Sequence, residues 1–479
     1  MKSKNISKPL KATIGFTISN ILQKGIMFLV VPIYTRILST EQYGNYSVFL
    51  SWVEIFEIIT TFRISWGGYV VGLNKYEDEQ DKYTSSLQCL SIIITTFFLL
   101  LYININEIIN KLTGMSTTMT LLMFGLMYAL PAIKFWTIKH RVKYEYKSVL
   151  TYTVLTSVLI VVGGTLSALR CENKDIAVIA VRVFVQMFFG FILIIDNCQK
   201  DFAIYNKTFW VRTLKFNIPL IPYYMSMVIL NSSDRIIISR IVNSEAAGIY
   251  SVAYTVSMCM LLLSSSINGV IQPWLYENMK KNKTESISQI IEISFLLVAI
   301  CNLFVIGLAP ELIGLAAPIQ YREAIWVLPP LAASVVVMYF YQHFVNIEFY
   351  FEDSKLTAIA SCGAAILNII LNIIFIPQYG YLAAGYTTLV SYLLFGFSHY
   401  FFMKLICKKN KYSEKLIDIG RMTGILIAFF IMAAIEMIGY QYTIIRFTVL
   451  IFIIVCAVIK RDVIAEMLLL GKKNRGRDE

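Results

Sequence analysis

The sequence predicts an all-α polytopic membrane protein of about fourteen transmembrane helices, built as two six-helix lobes followed by two further helices. Three observations carry that expectation. Apolar residues make up 57% of the 479 positions and charged residues only 15%, against about 45–50% and 25% in soluble domains. Apolar runs long enough to cross about 30 Å of hydrocarbon recur along the whole length. One loop occurs twice, as TRILSTEQYGNYSV at 35–48 and as SRIVNSEAAGIYSV at 239–252.

The runs fall approximately at 12–35, 44–71, 84–104, 118–138, 148–169, 176–195, 214–239, 246–274, 288–308, 324–350, 356–376, 381–403, 417–438 and 443–460. The connections are mostly short and leave no room for a folded domain outside the membrane. Short cytoplasmic segments carry the excess of Lys and Arg. Most of the 42 basic residues fall in alternate gaps: Lys2 to Lys11, Lys134 to Lys147, Lys200 to Lys215, Lys280 to Lys283, Lys404 to Lys415, and the tail from Lys472 to Arg477. Both termini are therefore expected in the cytoplasm, and the net charge of +12 is read as topology. A nucleic-acid partner is not expected, because such binding needs those charges gathered on one face. Lys24 interrupts the first apolar run and no small-x-small site follows it, so the amino end is read as an uncleaved helix and not a secretory signal. The cysteines are scattered, with only Cys171 in an outward loop, and imply no disulfide framework. His140, His343 and His399 are far apart and no group has metal-ligand spacing. No G-x-x-x-x-G-K-[ST] pattern occurs, so this chain is not expected to hydrolyse ATP.

Aligned from Arg36 and Arg240, both loops read R-I-x-x-x-E-x-x-G-x-Y-S-V, with seven identities in thirteen positions; chance would give roughly one. The repeated residues are Arg36, Glu41, Gly44 and Tyr46 in the first copy and Arg240, Glu245, Gly248 and Tyr250 in the second. Each Gly follows a short polar turn and suits a close helix approach; each Tyr suits an interfacial anchor. The copies follow the first and the seventh helix. An even separation makes both point the same way, so the halves are related by an axis along the membrane normal, as in transporters that rock two bundles about a midplane site. The expected organisation is an N-terminal lobe at 1–200, a C-terminal lobe at 201–405, and two helices with a basic tail at 406–479.

A charge at the bilayer centre costs about 2.5–3.5 kcal/mol on insertion scales, so each interior charge needs a partner or a wet cavity. Lys24 lies twelve residues before Arg36 and Glu57 thirteen after Gly44, which puts both roughly 18–20 Å from the outer turn. Glu54 is one turn away. Lys24 either pairs with Glu54 or Glu57 or faces the cavity and meets an anionic head group; two carboxylates and one cation at one depth favour the cavity. Arg63 is nine residues from Glu54 and out of phase with it, so its partner is elsewhere. Arg182, Asp234 and Arg235 sit about two turns in from the outer ends, where for the two arginines snorkelling competes evenly with a cavity role. Glu292, Glu348, Glu436 and Arg446 lie near helix ends and are read as interfacial. The repeat offset maps Lys24, Glu54 and Glu57 onto Val228, Met258 and Leu261, so the central charges belong to one lobe. The candidate substrate-binding residues are Lys24, Arg63, Arg182 and Arg235; Glu54, Glu57 and Asp234 are candidates for coupling or charge pairing.

The segment PIYTRILSTEQYGNYSVFLSW around the first loop resembles the first-to-second-helix segment of polysaccharide flippases of the Wzx type, in the multidrug/oligosaccharidyl-lipid/polysaccharide (MOP) exporter superfamily. Residues 356–392, LTAIASCGAAILNIILNIIFIPQYGYLAAGYTTLVSY, resemble the eleventh and twelfth helices of the same family, with Asn368, Asn372, Pro377, Gly380 and Ala383-Ala384 where its pattern has them. Asn368 and Asn372 share one helix face, and a helix-to-helix hydrogen bond suits them better than substrate contact. The resemblance implies a MurJ/MATE-like fold and translocation of a polyprenyl-pyrophosphate-linked oligosaccharide across the bacterial cytoplasmic (inner) membrane for O-antigen or capsule synthesis. It implies no cofactor beyond coupling to H⁺, Na⁺ or the membrane potential, and membrane lipids, a polysaccharide polymerase and glycosyltransferases as partners.

Two other readings compete. A MATE-like cation antiporter should favour carboxylates over cations in its cavity, and Lys24 and Arg63 speak against it. A membrane polymerase or acyltransferase needs catalytic groups, commonly in a large outward loop, but the outward loops near 105–117 and 309–323 are short and lack a His, Asp or Cys constellation. The chain is therefore not expected to be an enzyme.

Overall fold

The computed structural model describes residues 8–281, 287–352, 355–413 and 416–459. Within them the chain forms helices α1 (Lys8–Ile37), α2 (Thr40–Thr61), α3 (Gly67–Lys75), α4 (Gln80–Thr113), α5 (Thr117–Val142), α6 (Tyr146–Ala168), α7 (Lys174–Gln199), α8 (Lys207–Asn217), α9 (Ile221–Ile241), α10 (Ser244–Met258), α11 (Met260–Lys280), α12 (Ile287–Gly307), α13 (Ala309–Ala316), α14 (Ala324–Tyr350), α15 (Lys355–Tyr379), α16 (Leu382–Lys409), α17 (Ile419–Ile438) and α18 (Thr443–Ile459). Among the described residues, ten spans are long and apolar enough to cross a membrane, as expected of a multi-pass membrane protein. Each predicted apolar run is found as a long helix, except that 246–274 is divided between α10 and α11, 214–239 begins in the end of α8 and continues as α9 after a tight turn at 218–220, and 44–71 is broken.

That break corrects the second predicted helix. α2 stops at Thr61, and Phe62 and Arg63 follow with φ of 47° each, in the left-handed region that non-glycine residues rarely enter. The Thr61 hydroxyl donates to the Glu57 carbonyl (2.6 Å) and accepts from the Arg63 backbone N–H (3.2 Å), so the side chain takes over groups the helix end leaves unmatched. The chain then re-enters a helix at Gly67. Arg63 therefore lies in a turn, and not inside a continuous helix as expected.

The described chain divides into two compact units, Met1–Gly248 and Ile249–Glu479. In the first, α2 packs against α5, α7 and α9, and α3 lies against α4, α5 and α8. An aromatic cluster of Tyr69, Tyr83, Phe135 and Phe209 holds α3 in place. Its buried hydroxyls are matched, Tyr69 with Thr84 (2.8 Å) and Tyr83 with Thr213 (2.9 Å), as burial of polar groups requires.

In the second unit α14 is the central helix, packed against α11, α12, α13, α16 and α17. Asn368 and Asn372 are fully buried on α15. Asn368 donates to Thr388 of α16 (3.2 Å) and Asn372 to Asn368 (3.3 Å), while Thr387 donates to Asn372. The two helices beyond the repeat pack on α12, and α17 also on α14; Arg446 of α18 donates to the Gly307 carbonyl at the end of α12 (2.8 Å) and to both oxygens of Glu311 on α13. Three of the charges expected at the interface are thus buried, Arg446 at 3% exposure and Glu348 and Glu436 at 0%. Position near a helix end did not expose them, because neighbouring helices cover those ends.

Candidate substrate-binding site

The two copies of the repeated loop meet in the first unit. Ser39 caps α2, accepting from the Gln42 N–H (3.1 Å) while Gln42 reaches back to the Ser39 N–H (3.1 Å), a reciprocal capping box. Its counterpart in the second copy, Asn243, accepts from the Ala246 N–H (2.8 Å) at the start of α10. A Cβ added to Gly44 would lie 1.7 Å from the Ser244 carbonyl oxygen, and one added to Gly248 would lie 2.4 Å from that of Thr40. Thr40 and Ser244 are themselves equivalent positions, so each glycine receives the first helical carbonyl of the other copy. The Thr40 hydroxyl donates to Glu245 (3.0 Å). Arg36 donates to the Pro32 carbonyl one turn back (2.8 Å), whereas Arg240 donates to the carbonyls of Lys111 and Leu112 (2.7 and 2.6 Å). Arg240 thereby caps the last turn of α4, where a cation is favoured.

From this crossing α2 and α9 run antiparallel and in register. Arg235 donates to the Ser51 hydroxyl (3.3 Å), and one turn further on Ser232 donates to the Glu54 carboxylate. Asp234 is buried at 1% exposure on the same stretch of α9. Arg182 lies in a different seam: it donates to the Tyr46 hydroxyl (3.1 Å) from α7, beside Asn45, which donates to Asp175 (3.0 Å). Arg235 and Arg182 thus reach α2 from two different neighbouring helices, α9 and α7. Lys24 belongs to α1, and its side chain lies outside the described residues.

At the other end of α2 the charges gather. Glu57, 8% exposed, forms an ion pair with Lys134 of α5. The Lys134 ammonium also lies 5.0 Å above the Trp66 ring. The Arg63 guanidinium lies 4.5 Å from the centre of the same ring and 5.2 Å from that of Tyr224 on α9. One indole thus faces two cations, and each such contact is worth about 0.5–2 kcal/mol according to its desolvation. Gly67 next to Trp66 lets Tyr224 and Phe216 approach, since a Cβ there would stand 3.2 Å from the Phe216 ring. The Arg63 Nε is buried with no hydrogen-bond partner among the described residues. Around the Trp66 ring, which is 40% exposed, two cations thus stand against the single carboxylate that pairs with one of them, while Glu54, one turn earlier on α2, is engaged by Ser232. Nearby Lys139 is balanced by Asp81 and adds nothing to the excess. Such a corner can bind an anion through Arg63 and stack an apolar sugar face on the indole.

The sequence placed Glu57 and Arg63 among the candidates and left Lys24, whose side chain lies outside the described residues, either as a partner of Glu54 or Glu57 or facing the cavity. Glu57 meets Lys134, and Glu54 meets a hydroxyl. Trp66, Lys134 and Tyr224 were missed as site residues. Lys134 falls inside the run predicted at 118–138, and its place within an apolar span was the available signal.

A family model described as "Polysaccharide biosynthesis protein" matches residues 10–279, more than half of the chain. The chain belongs to this family of polysaccharide biosynthesis proteins. It is 22% identical over 414 residues to the "Probable low-salt glycan biosynthesis flippase Agl15" of Haloferax volcanii, covering 84% of this chain and 85% of the relative. Among solved structures it resembles the lipid II flippase MurJ in an inward closed conformation, with a TM-score of 0.67 and 17% identity, covering 94% of this chain and 100% of the other. An inward-facing multidrug resistance MATE family transporter of the MOP superfamily matches with a TM-score of 0.62 and 12% identity, covering 84% and 99%. The MurJ/MATE-like fold and the resemblance to polysaccharide flippases of this superfamily are thus borne out.

Proposed function

We propose that this protein is a flippase that carries a polyprenyl-pyrophosphate-linked oligosaccharide from the inner to the outer leaflet of the cytoplasmic membrane, for synthesis of a surface polysaccharide. The reading is supported by the positive charge of Arg63, which no carboxylate pairs with among the described residues, beside the Glu57-paired Lys134 around the exposed Trp66, in a chain of the polysaccharide biosynthesis family. A pyrophosphate leaving water needs cations to replace its hydration, and planar guanidinium geometry suits phosphate oxygens; the polyprenyl tail remains in lipid. The six-helix lobes at 1–200 and 201–405 alternate access, with both termini in the cytoplasm. Outward movement of two uncompensated negative charges gains up to roughly 4–5 kcal/mol per 100 mV from a cytoplasm-negative potential; exchange of H⁺ or Na⁺ is the other available drive. The chain transports and does not transform its substrate, which glycosyltransferases supply and a polymerase consumes.

The test is delivery of lipid-linked oligosaccharide to the outer leaflet in cells lacking their own flippase, with the wild type and with Lys24→Ala and Arg63→Ala. Delivery by the wild type that is lost in stably inserted Arg63→Ala supports both the function and the site. Delivery by both assigns Arg63 a structural role. Failure of the wild type with several glycans, together with proton-linked efflux of organic cations, replaces this reading with an antiporter.

A further inference from the structure

The second unit contains a carboxylate and an imidazole that the candidate substrate site does not use. Glu348, in the last turn of α14, and His399 of α16 are both wholly buried, with Glu348 Oε1 2.8 Å from His399 Nδ1. The other carboxylate oxygen accepts from the Thr357 hydroxyl in the first turn of α15 (2.8 Å). His399 Nε2 is buried and has no hydrogen-bond partner among the described residues.

The surroundings leave the charge of this group to a single proton. The imidazole lies between aromatic rings, stacked 5.7 Å from Tyr341 and edge-on 4.5 Å from Phe395. Tyr341 on α14 is the titratable side chain in contact with it; α15 contributes the Thr357 hydroxyl. His343 on α14 packs on Tyr339 (4.7 Å), and Lys404 on α16 lies over Tyr400 (5.7 Å). No Lys or Arg pairs with Glu348 among the described residues. With neutral imidazole the group holds one uncompensated negative charge in an apolar setting. With imidazolium it is a neutral ion pair. A lone buried charge is costly, so uptake of one proton is the chemistry available to it. The proton comes from water or hydronium, whose O–H bond breaks as the N–H bond forms, and no other bond changes. Glu348 is two residues from the end of α14 and Thr357 two from the start of α15, so the group ties these two helices to α16.

We propose that Glu348 and His399 form a proton-binding site in the second unit, and that its loading and release are coupled to transport. The coupling half rests on the flippase reading; the binding half does not. It assigns proton traffic to residues other than the candidates Glu54, Glu57 and Asp234, of which Glu54 meets Ser232 and Glu57 meets Lys134.

Full-length protein in nanodiscs, isotopically labelled at its three histidines, allows imidazole resonances to be followed by NMR between about pH 5 and pH 9, with His399→Gln identifying the His399 signal. The expected result is a His399 signal that moves between two limiting positions in the wild type and stays in one form in Glu348→Gln. A wild-type signal that remains in one form throughout overturns the proposal, whether or not the variants fold. Glycan delivery is measured in parallel at several external pH values. A drop of about tenfold or more, with loss of pH dependence, is expected in Glu348→Gln. An unchanged pH profile in that variant overturns the coupling. Failure of the wild type to deliver glycan at any pH overturns the flippase reading instead, and the resonance titration still decides whether the site binds a proton.

Discussion

Gly44 and Gly248 occupy equivalent positions in the two copies of one loop, and each makes room for the backbone carbonyl that begins the other copy's helix. The crossing explains why both copies keep glycine: the obstacle in each case is a backbone atom, which cannot swing aside as a side chain can. Ser39 and Asn243, also equivalent, each cap their own helix in the same manner.

Alanine at either glycine should therefore force the helices apart. Gly44→Ala is expected to be the more severe, since its Cβ would stand 1.7 Å from the Ser244 oxygen against 2.4 Å from the Thr40 oxygen for Gly248→Ala. Overpacking of this kind costs about 1–3 kcal/mol or more. Because both changes disrupt one contact, the double variant should be destabilised by clearly less than the sum of the singles. Thermal midpoints of the four proteins in nanodiscs check this; strict additivity would mean that the two glycines do not share a crossing.

The Glu57–Lys134 pair predicts an asymmetry between single and double substitutions. Lys134→Met leaves the Glu57 carboxylate buried and unpaired, at a cost of about 3–5 kcal/mol. Glu57→Gln leaves the more exposed Lys134 beside Trp66, with a smaller loss. Glu57→Gln combined with Lys134→Met should recover most of the stability lost by Lys134→Met alone. The same set measured for glycan delivery separates packing from function: recovered stability without recovered delivery would place Lys134 among the substrate-binding groups.

Much of this was legible in the sequence and some was not, for identifiable physical reasons. Apolar run length gave the long helices because a span must satisfy its backbone internally, and the repeated loop marked Gly44 and Gly248 as suited to a close helix approach without revealing that the two copies pack on each other. The turn at Phe62 and Arg63 was hidden because it interrupts an apolar stretch without a proline, and Gly67 follows it only after the break. The partner of Glu57 was hidden because Lys134 is 77 residues away and counts, by charge alone, toward a basic segment. Trp66 and Tyr224 read as ordinary apolar residues until the folded chain set them beside cations.

Arg63 separates charge from geometry. Arg63→Lys keeps the positive charge but loses the planar face that lies over Trp66 and Tyr224, and with it the forked donors that match phosphate oxygens. Arg63→Lys should therefore deliver glycan measurably less well than the wild type, by roughly tenfold if about 1.4 kcal/mol of transition-state binding is lost. Arg63→Ala should be worse, and Trp66→Ala should weaken both the wild type and Arg63→Lys. If Arg63→Lys delivers as the wild type does, only charge matters at this corner.

Arg446 and Glu311 set the pH response of the attachment of α18 to the second unit. Burial works to raise the Glu311 carboxyl, but the hydrogen bond and charge of Arg446 together with a backbone hydrogen bond outweigh it and hold the group below the usual carboxylate range. A carboxylate lowered in the folded state contributes stability above its unfolded value and loses it as pH falls through the folded value. The attachment should thus be unaffected near neutral pH and weaken only in acid, below the range where free glutamate titrates. Glu311→Gln should weaken it at neutral pH and remove the acid transition. Hydrogen exchange at 443–452, compared between wild type and variant across that range, reads both effects; an acid-induced rise in exchange of equal size in Glu311→Gln would show that another group is responsible.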